Sequence, residues 1–168
     1  MSMPWHPSSA ERRLSLQRHG MPGYGEGSAH LAPMVLAAAD RCGARSVLDY
    51  GCGKGGLVAA LRARGLEAFG YDPAVPEWRA EPDPADLVVS VDVLDVVEAS
   101  RREAVLDRMF AQARCGVWAW VTVDSPFGRS VPPRMTWITA FGRRGTVVSA
   151  DVVDGIMCIL ALTERTGA

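Results

Sequence analysis

The chain has 168 residues, with 18 Lys or Arg against 19 Asp or Glu and a formal net charge of −1. Hydrophobic residues make up 48% of it, which is typical of a globular domain and excludes a wholly disordered chain. The balanced charge disfavours proteins that bind nucleic acid mainly through phosphates, because these carry a basic excess. We therefore do not expect DNA as a partner.

The four cysteines show none of the paired spacings of a zinc site, and we expect no metal. The longest apolar runs have the length of strands, and no signal peptide is evident. These features predict a cytoplasmic protein that does not enter a membrane. They leave its oligomeric state open.

Residues 1–19 are predicted to be a flexible or helical extension, and residues 20–168 a single domain. The start of this domain is rich in glycine between Gly20 and Ser28, which predicts a mobile loop of the kind that closes over ligands. Tyr24 lies in this loop and His30 begins the helix that follows. Each is a candidate ligand contact; loop packing for Tyr24 and a solvent-facing helix start for His30 stay open.

Residues 46–56 carry the strongest signal in the chain. Ser46–Tyr50 is an apolar run interrupted by one acid, Asp49, and predicts a buried strand. Four glycines follow within six residues, and helical spacing then runs from Leu57 to a stop at Gly65. A strand, a glycine turn and a helix form the ligand crevice of α/β proteins at the carboxyl end of the sheet.

Two nucleotide cofactors are compatible with this turn. Gly51-x-Gly53-x-x-Gly56 fits the dinucleotide fingerprint, with Asp72 near the expected ~20 residues downstream for a ribose. Asp49 argues against that cofactor, because a carboxylate so close to the turn would repel a pyrophosphate. A cofactor with a cationic amino-acid end would instead be attracted by it.

Asp49-x-Gly51-x-Gly53-x-Gly55 resembles motif I of the class I S-adenosylmethionine-dependent methyltransferases. The resemblance implies a Rossmann-like α/β three-layer sandwich with a mostly parallel sheet and a C-terminal antiparallel hairpin. It also implies S-adenosylmethionine as cofactor, held by a common set of residues. These are the amino-end partner Asp49, the turn residues Gly51, Cys52, Gly53 and Gly55, the ribose partner Asp72, the crevice residue Asp92, and Tyr24 and His30 in a covering loop.

The chain is shorter than the usual family plan after Asp72. Only residues 73–85, rich in proline, separate it from the next strand. This length predicts a single helical turn and a third strand that is abbreviated or absent. Trp78 in this connector is either an adenine-stacking wall or a residue that packs over the shortened edge.

The strand predicted at 86–91 leads to Asp92 and then to Asp95 and Val96. This run resembles the family's motif IV region, where many relatives carry a histidine at the position of Val96. The resemblance makes Asp95, and Asp124 at the tip of a later strand, candidates to orient or deprotonate an acceptor. A role as a helix cap or turn residue stays open for both.

The rest of the chain predicts helix, strand, helix and hairpin. The predicted segments are a helix at 99–114, a strand at 116–123 with Trp118 and Trp120 on one face, a helix at 134–141, and a hairpin of 145–153 and 156–163 turning at Asp154-Gly155. Pro132-Pro133 followed by Trp137 is similar to small bacterial and phage-associated methyltransferase-like proteins.

These features together predict a methyltransferase that uses S-adenosylmethionine and a small-molecule acceptor. One alternative is a catalytically inactive methyltransferase-like protein that binds cofactor or a partner, which the shortened connector and Val96 favour. Another is an NAD(P)-dependent oxidoreductase, which Asp49 disfavours.

Overall fold

The computed structural model describes residues 17, 27–124 and 131–164. Strands and helices alternate along most of these residues, and short 3₁₀ turns lie before two of the four described α-helices and within residues 73–85. The strands are β1 Ser46–Tyr50, β2 Glu67–Tyr71, β3 Ala85–Val91, β4 Ala113–Thr122, β5 Gly145–Val153 and β6 Ile156–Thr163. The α-helices are α1 Ala32–Cys42, α2 Gly56–Arg62, α3 Arg102–Gln112 and α4 Arg134–Gly142.

The six strands form one sheet in the order β2-β1-β3-β4-β6-β5. The first four are parallel, whereas β6 and β5 are antiparallel to their neighbours. The hairpin between β5 and β6 turns at Asp154 and Gly155, whose φ angles of 52° and 77° are both positive, as a type I′ turn requires. The predicted mostly parallel sheet with a C-terminal antiparallel hairpin is confirmed.

Helices cover both faces of the sheet, which gives the predicted three layers. Strand β1 is buried at every residue, and its alternate side chains enter two different hydrophobic clusters. One cluster lies under α1 and α2 and includes Val47, and the other lies under α3 and α4 and includes Leu48. Trp118 packs in the first cluster and is only 4% exposed, as expected for a tryptophan on the inner face of a central strand.

The shortened connector is present as predicted. Between β2 and β3 the chain forms a single 3₁₀ turn, Pro76–Trp78, and no strand. Strand β2 is consequently at the edge of the sheet, and Phe69 on it remains 41% exposed.

The boundary between α3 and β4 differs from the prediction. Helical spacing predicts a helix as far as Arg114, but α3 ends at Gln112 and β4 begins at Ala113. The reason is tertiary: Ala113 pairs with Ala85 of β3, and Arg114 lies 3.6 Å from the carboxylate of Asp86. Pairing with a neighbouring strand thus overrides the local helical pattern.

None of the helices in the described part of the chain is both long and apolar enough to cross a lipid bilayer. Of the predicted N-terminal extension, Gln17 alone is described, and it is helical. The predicted loop residue Tyr24 also lies outside the described residues.

Candidate functional site

The glycine turn follows directly from β1 and holds a conformation that side chains would prevent. Gly51, Gly53 and Gly55 have φ angles of 86°, 54° and 78°, in the left-handed region that favours glycine. At Gly51 there is also no room, because a Cβ there would lie 2.2 Å from Cγ2 of Val93. The chain is therefore bent sharply at the carboxyl end of the sheet, and the missing side chain of Gly51 leaves the space that Val93 occupies.

The tip of β2 holds this turn through hydrogen bonds. The N–H groups of Gly51 and Cys52 donate to the carbonyl oxygen of Tyr71, at 2.7 and 3.1 Å. The N–H of Gly53 donates to Oδ2 of Asp72 at 3.0 Å. The position of the turn is thus determined by the end of the neighbouring strand.

Asp72 is 6% exposed, and its other carboxylate oxygen, Oδ1, accepts from the N–H of Ala74 at 2.9 Å. These two hydrogen bonds hold the carboxylate against the backbone of Gly53 and Ala74. Asp72 therefore positions the glycine turn, and its predicted contact with a ribose stays a prediction.

Asp49 is the most deeply buried acid near the turn, with 2% of its surface exposed. Burial, together with the charge of Asp72, raises its pKa from 3.8 to about 7. Two carboxylates in one buried region disfavour ionisation, and a bound cation would offset this cost. The pair is therefore suited to a ligand with a positive charge and unsuited to a diphosphate.

Cys52 is buried beneath the turn, and its Sγ lies 3.8 Å from the carbonyl oxygen of Gly53. Burial, with the charges of Asp49 and Asp72, raises the pKa of this thiol far above its ordinary value, so the side chain is an inert packing group. Its predicted contact with the cofactor stays a prediction.

Asp92 lies at the tip of β3, as predicted. Its φ of 55° is a left-handed conformation that non-glycine residues adopt rarely and that is enriched at functional sites. Its N–H donates to the carbonyl oxygen of Trp120 at 3.2 Å. Although the residue is exposed, the surrounding protein limits hydration of its carboxylate, and this, together with the charge of Asp95, raises its pKa.

His30 is close enough for its charge to act on Asp92, lowering the pKa of that carboxyl. It lies in the 3₁₀ turn Gly27–Leu31, is exposed, and its Nδ1 is hydrogen-bonded to the carbonyl oxygen of Gly27. His30 thus acts electrostatically on Asp92, and its predicted role as a covering residue stays a prediction.

Asp95 is anchored to the neighbouring strand. Its Oδ2 accepts from the N–H of Thr122 at 2.9 Å, near the end of β4. Its Oδ1 is buried and finds no hydrogen-bond partner among the described residues. Burial raises the pKa of Asp95, opposed by hydrogen bonds from Thr122 and by the charge of Arg102. Asp95 thus has one oxygen fixed by β4 and the other without a hydrogen-bond partner among the described residues.

The helix-cap alternative for Asp95 is not what the structure shows. The helical segment that follows starts at Ala99, its N-cap is Glu98, and it has no side-chain capping bond.

Asp124 is exposed, and its N–H donates to the carbonyl oxygen of Gly155 at 3.1 Å. It is thus a turn residue beside the hairpin, and its predicted role toward an acceptor stays a prediction.

Sequence reasoning did not identify two residues that shape this site, Val93 and Thr122. Val93 covers Gly51, and Thr122 fixes Asp95. Both lie within three residues of strand tips that the sequence predicted. Because parallel strands end at the same edge of the sheet, their proximity to those tips was a signal that they lie at the site. Groups of three or more His, Cys, Asp or Glu able to hold a metal are absent from the described part of the chain.

Solved structures share this fold at low sequence identity. 1,6-Didemethyltoxoflavin-N1-methyltransferase from Burkholderia thailandensis, with bound 1,6-didemethyltoxoflavin and S-adenosylhomocysteine, gives a TM-score of 0.73 at 15% identity, covering 97% of this chain and 93% of that one. Magnesium protoporphyrin IX methyltransferase from Synechocystis PCC 6803, with S-adenosylhomocysteine, gives 0.65 at 14% identity, covering 92% and 94%. Human N-acetylserotonin methyltransferase, with S-adenosylmethionine, gives 0.63 at 15%, covering 92% and 57%.

A comparison with curated proteins found no significant match. The sequence does match a methyltransferase-domain family over residues 18–150, a range that includes the glycine turn and the four acids at strand tips. This match, with the shared fold, confirms the predicted class I methyltransferase and does not favour an oxidoreductase. The narrower kinship with bacterial and phage-associated proteins stays a prediction. The chain belongs to the methyltransferase-domain family.

Proposed function

We propose that this protein transfers a methyl group from S-adenosylmethionine to a small molecule with an N–H or O–H group. The observation that carries the cofactor assignment is the buried pair Asp49 and Asp72 at the glycine turn. Asp49 would hold the cationic amino end of the cofactor, and Asp72 its ribose hydroxyls. The backbone of residues 51–55 would lie along the methionine portion.

The residues present fit this cofactor better than a dinucleotide. A carboxylate whose pKa is raised to about 7 by burial and by a second acid favours a neighbouring ammonium group. It disfavours a diphosphate for the same reason. When bound, the sulfonium supplies both the activated methyl group and its leaving group, so the protein is left with positioning, water exclusion and proton transfer.

Proton transfer is assigned to Asp95. Its Oδ2 is held by Thr122, and its Oδ1 would accept the proton of the nucleophilic nitrogen or oxygen once the acceptor reaches it. The raised pKa of Asp95 makes it a stronger base than an ordinary aspartate. Asp92, at the tip of β3, and His30, whose charge acts on Asp92, would contact cofactor or acceptor.

Several observations support a small acceptor. The three structural neighbours named above act on 1,6-didemethyltoxoflavin, magnesium protoporphyrin IX and N-acetylserotonin, according to their names. The net charge of −1 gives no basic excess for nucleic acid.

A protein that binds the cofactor without catalysis is the second candidate. The observation that favours it is Val96, which is 46% exposed at the position where the sequence resembles a histidine-bearing motif. Turnover separates the two candidates, because both bind the cofactor.

The test is an isotope-transfer assay with S-adenosyl-[methyl-³H]methionine and a panel of amines, N-heterocycles, phenols and carboxylic acids. We expect label in at least one amine, N-heterocycle or phenol, and the carboxylic acids test whether an anionic acceptor is also used. Tight cofactor binding without transfer to any member of a broad panel would favour the non-catalytic candidate. Binding of NAD(H) in place of the sulfonium would contradict the cofactor assignment.

A further inference from the structure

The side chain of Trp78, in the shortened connector, lies against the glycine turn. A Cβ added to Gly55 would lie 2.8 Å from Cζ2 of this indole, and one added to Gly70 would lie 2.8 Å from its Cε3. The indole therefore spans from β2 to the residue that begins α2. Trp78 is itself only partly buried, at the margin of the cluster under α1 and α2.

The backbone of the 3₁₀ turn Pro76–Trp78 is hydrogen-bonded to Asp72. The N–H of Asp72 donates to the carbonyl oxygen of Trp78 at 2.9 Å, and the N–H of Trp78 donates to that of Val75 at 3.0 Å. The Asp72 carboxylate in turn receives the N–H groups of Gly53 and Ala74. Trp78 is thus connected to the turn twice, by its ring at Gly55 and through Asp72 at Gly53.

We propose that Trp78 is a positioning residue for the cofactor, replacing in this short chain the support that a third strand and its helix would give. Its ring sets the position of Gly55, and its carbonyl sets that of Asp72. The glycine at position 70 leaves the space that the ring occupies. This inference rests on the proposed cofactor site, because it concerns the residues that would hold S-adenosylmethionine.

Two substitutions disturb this contact from opposite sides. Trp78→Ala removes the ring, and Gly70→Ala pushes on it while leaving it present, since the new methyl would overlap Cε3 and also Sγ of Cys52. Leu66→Ala is the matched control: it removes apolar packing from the same cluster, at the other end of β2. All three are expected to lower the thermal midpoint.

The readout is the dissociation constant for S-adenosylmethionine, measured by calorimetry at a temperature where every variant is folded by circular dichroism. We expect Trp78→Ala and Gly70→Ala each to weaken binding about tenfold or more, and Leu66→Ala to leave it within about twofold. Trp78→Phe is expected to recover part of the affinity. The double variant with both Trp78→Ala and Gly70→Ala is expected to lose less affinity than the two single losses added together. Without the indole, the methyl group introduced at position 70 no longer overlaps the ring.

Wild-type affinity in folded Trp78→Ala would overturn the inference while leaving the cofactor site intact. Equal weakening by Leu66→Ala would overturn it as well, since general loss of packing would then explain the result. Failure of the wild-type protein to bind S-adenosylmethionine would overturn the proposed function and this inference together.

Discussion

Replacing Asp49 by Asn is expected to stabilise the fold at alkaline pH and to weaken the cofactor site. Burial and the charge of Asp72 raise the pKa of Asp49 from 3.8 to about 7. Because the folded pKa lies above the unfolded one, the stabilising contribution of this group is complete below about pH 4 and is lost as the pH rises to 7. At about 1.4 kcal/mol per pH unit, roughly 3 kcal/mol is lost between pH 5 and pH 8. Asn has nearly the same shape and does not ionise.

The assay is urea unfolding of wild type and Asp49→Asn at pH 5 and pH 8. The free energy of unfolding of the variant, minus that of wild type, is expected to be about 3 kcal/mol larger at pH 8 than at pH 5. Asp40→Asn, at an exposed acid on α1, serves as the control and is expected to show a much smaller change. The same difference at both pH values would refute the claim that Asp49 is buried at high energetic cost.

Asp49→Asn is expected to weaken cofactor binding, although it stabilises the fold at pH 8. Removing a charge-assisted bond costs about 1.5–3 kcal/mol, so Asp49→Asn is expected to weaken S-adenosylmethionine about 10- to 100-fold at pH 8. A variant more stable than wild type but weaker in binding identifies Asp49 as a residue kept for function. A variant that is weaker in both measurements would indicate a structural role.

Four further predictions follow from other contacts. Wild-type binding of S-adenosylmethionine is expected to weaken below pH 7 by up to about tenfold per pH unit and to release a proton, because Asp49 must ionise to bind the cation. Calorimetry in buffers of different ionisation enthalpy measures the proton release, and equal heats in all buffers would contradict this prediction. Asp95→Asn is expected to slow methyl transfer about 100-fold at an unchanged cofactor dissociation constant, and a change in binding alone would argue against a role as base. Arg144→Gln, which loses bonds to Glu103, Asp107 and a helix carbonyl, is expected to cost about 1 kcal/mol in urea unfolding, and less in 1 M salt. Asp86→Ala is expected to lower the free energy of unfolding in urea by about 1–2 kcal/mol at pH 7. Hydrogen bonds from the Arg45 backbone and then Ser46 lower the pKa of Asp86, so this difference from wild type should disappear only well below pH 4.

Elements determined by local pattern were predicted closely. The strand at Ser46–Tyr50 and the hairpin strands 145–153 and 156–163 have the predicted bounds. Each is an apolar or alternating run delimited by glycine, and the Asp154-Gly155 turn has the positive φ angles that its residues favour. Such elements need no knowledge of distant residues.

Features set by pairing between distant segments were not predictable in the same way. Residues 113–114 join β4 because β3 lies alongside them, although their spacing continues a helix. Asp95 finds Thr122 across 27 positions, a contact that depends on the register of β3 and β4. Sequence alone left two roles open for Trp78, and its distances to Gly55 and Gly70 show packing against the glycine turn.

The most direct test of the cofactor site is calorimetric titration of the purified protein with S-adenosylmethionine, repeated on Asp49→Asn and Asp72→Asn, with NAD(H) titrated in parallel. We predict binding of the sulfonium cofactor by wild type, loss of at least about tenfold in affinity in each variant, and no binding of NAD(H). Undiminished binding by both folded variants, or no binding by folded wild-type protein, would contradict the account of this site.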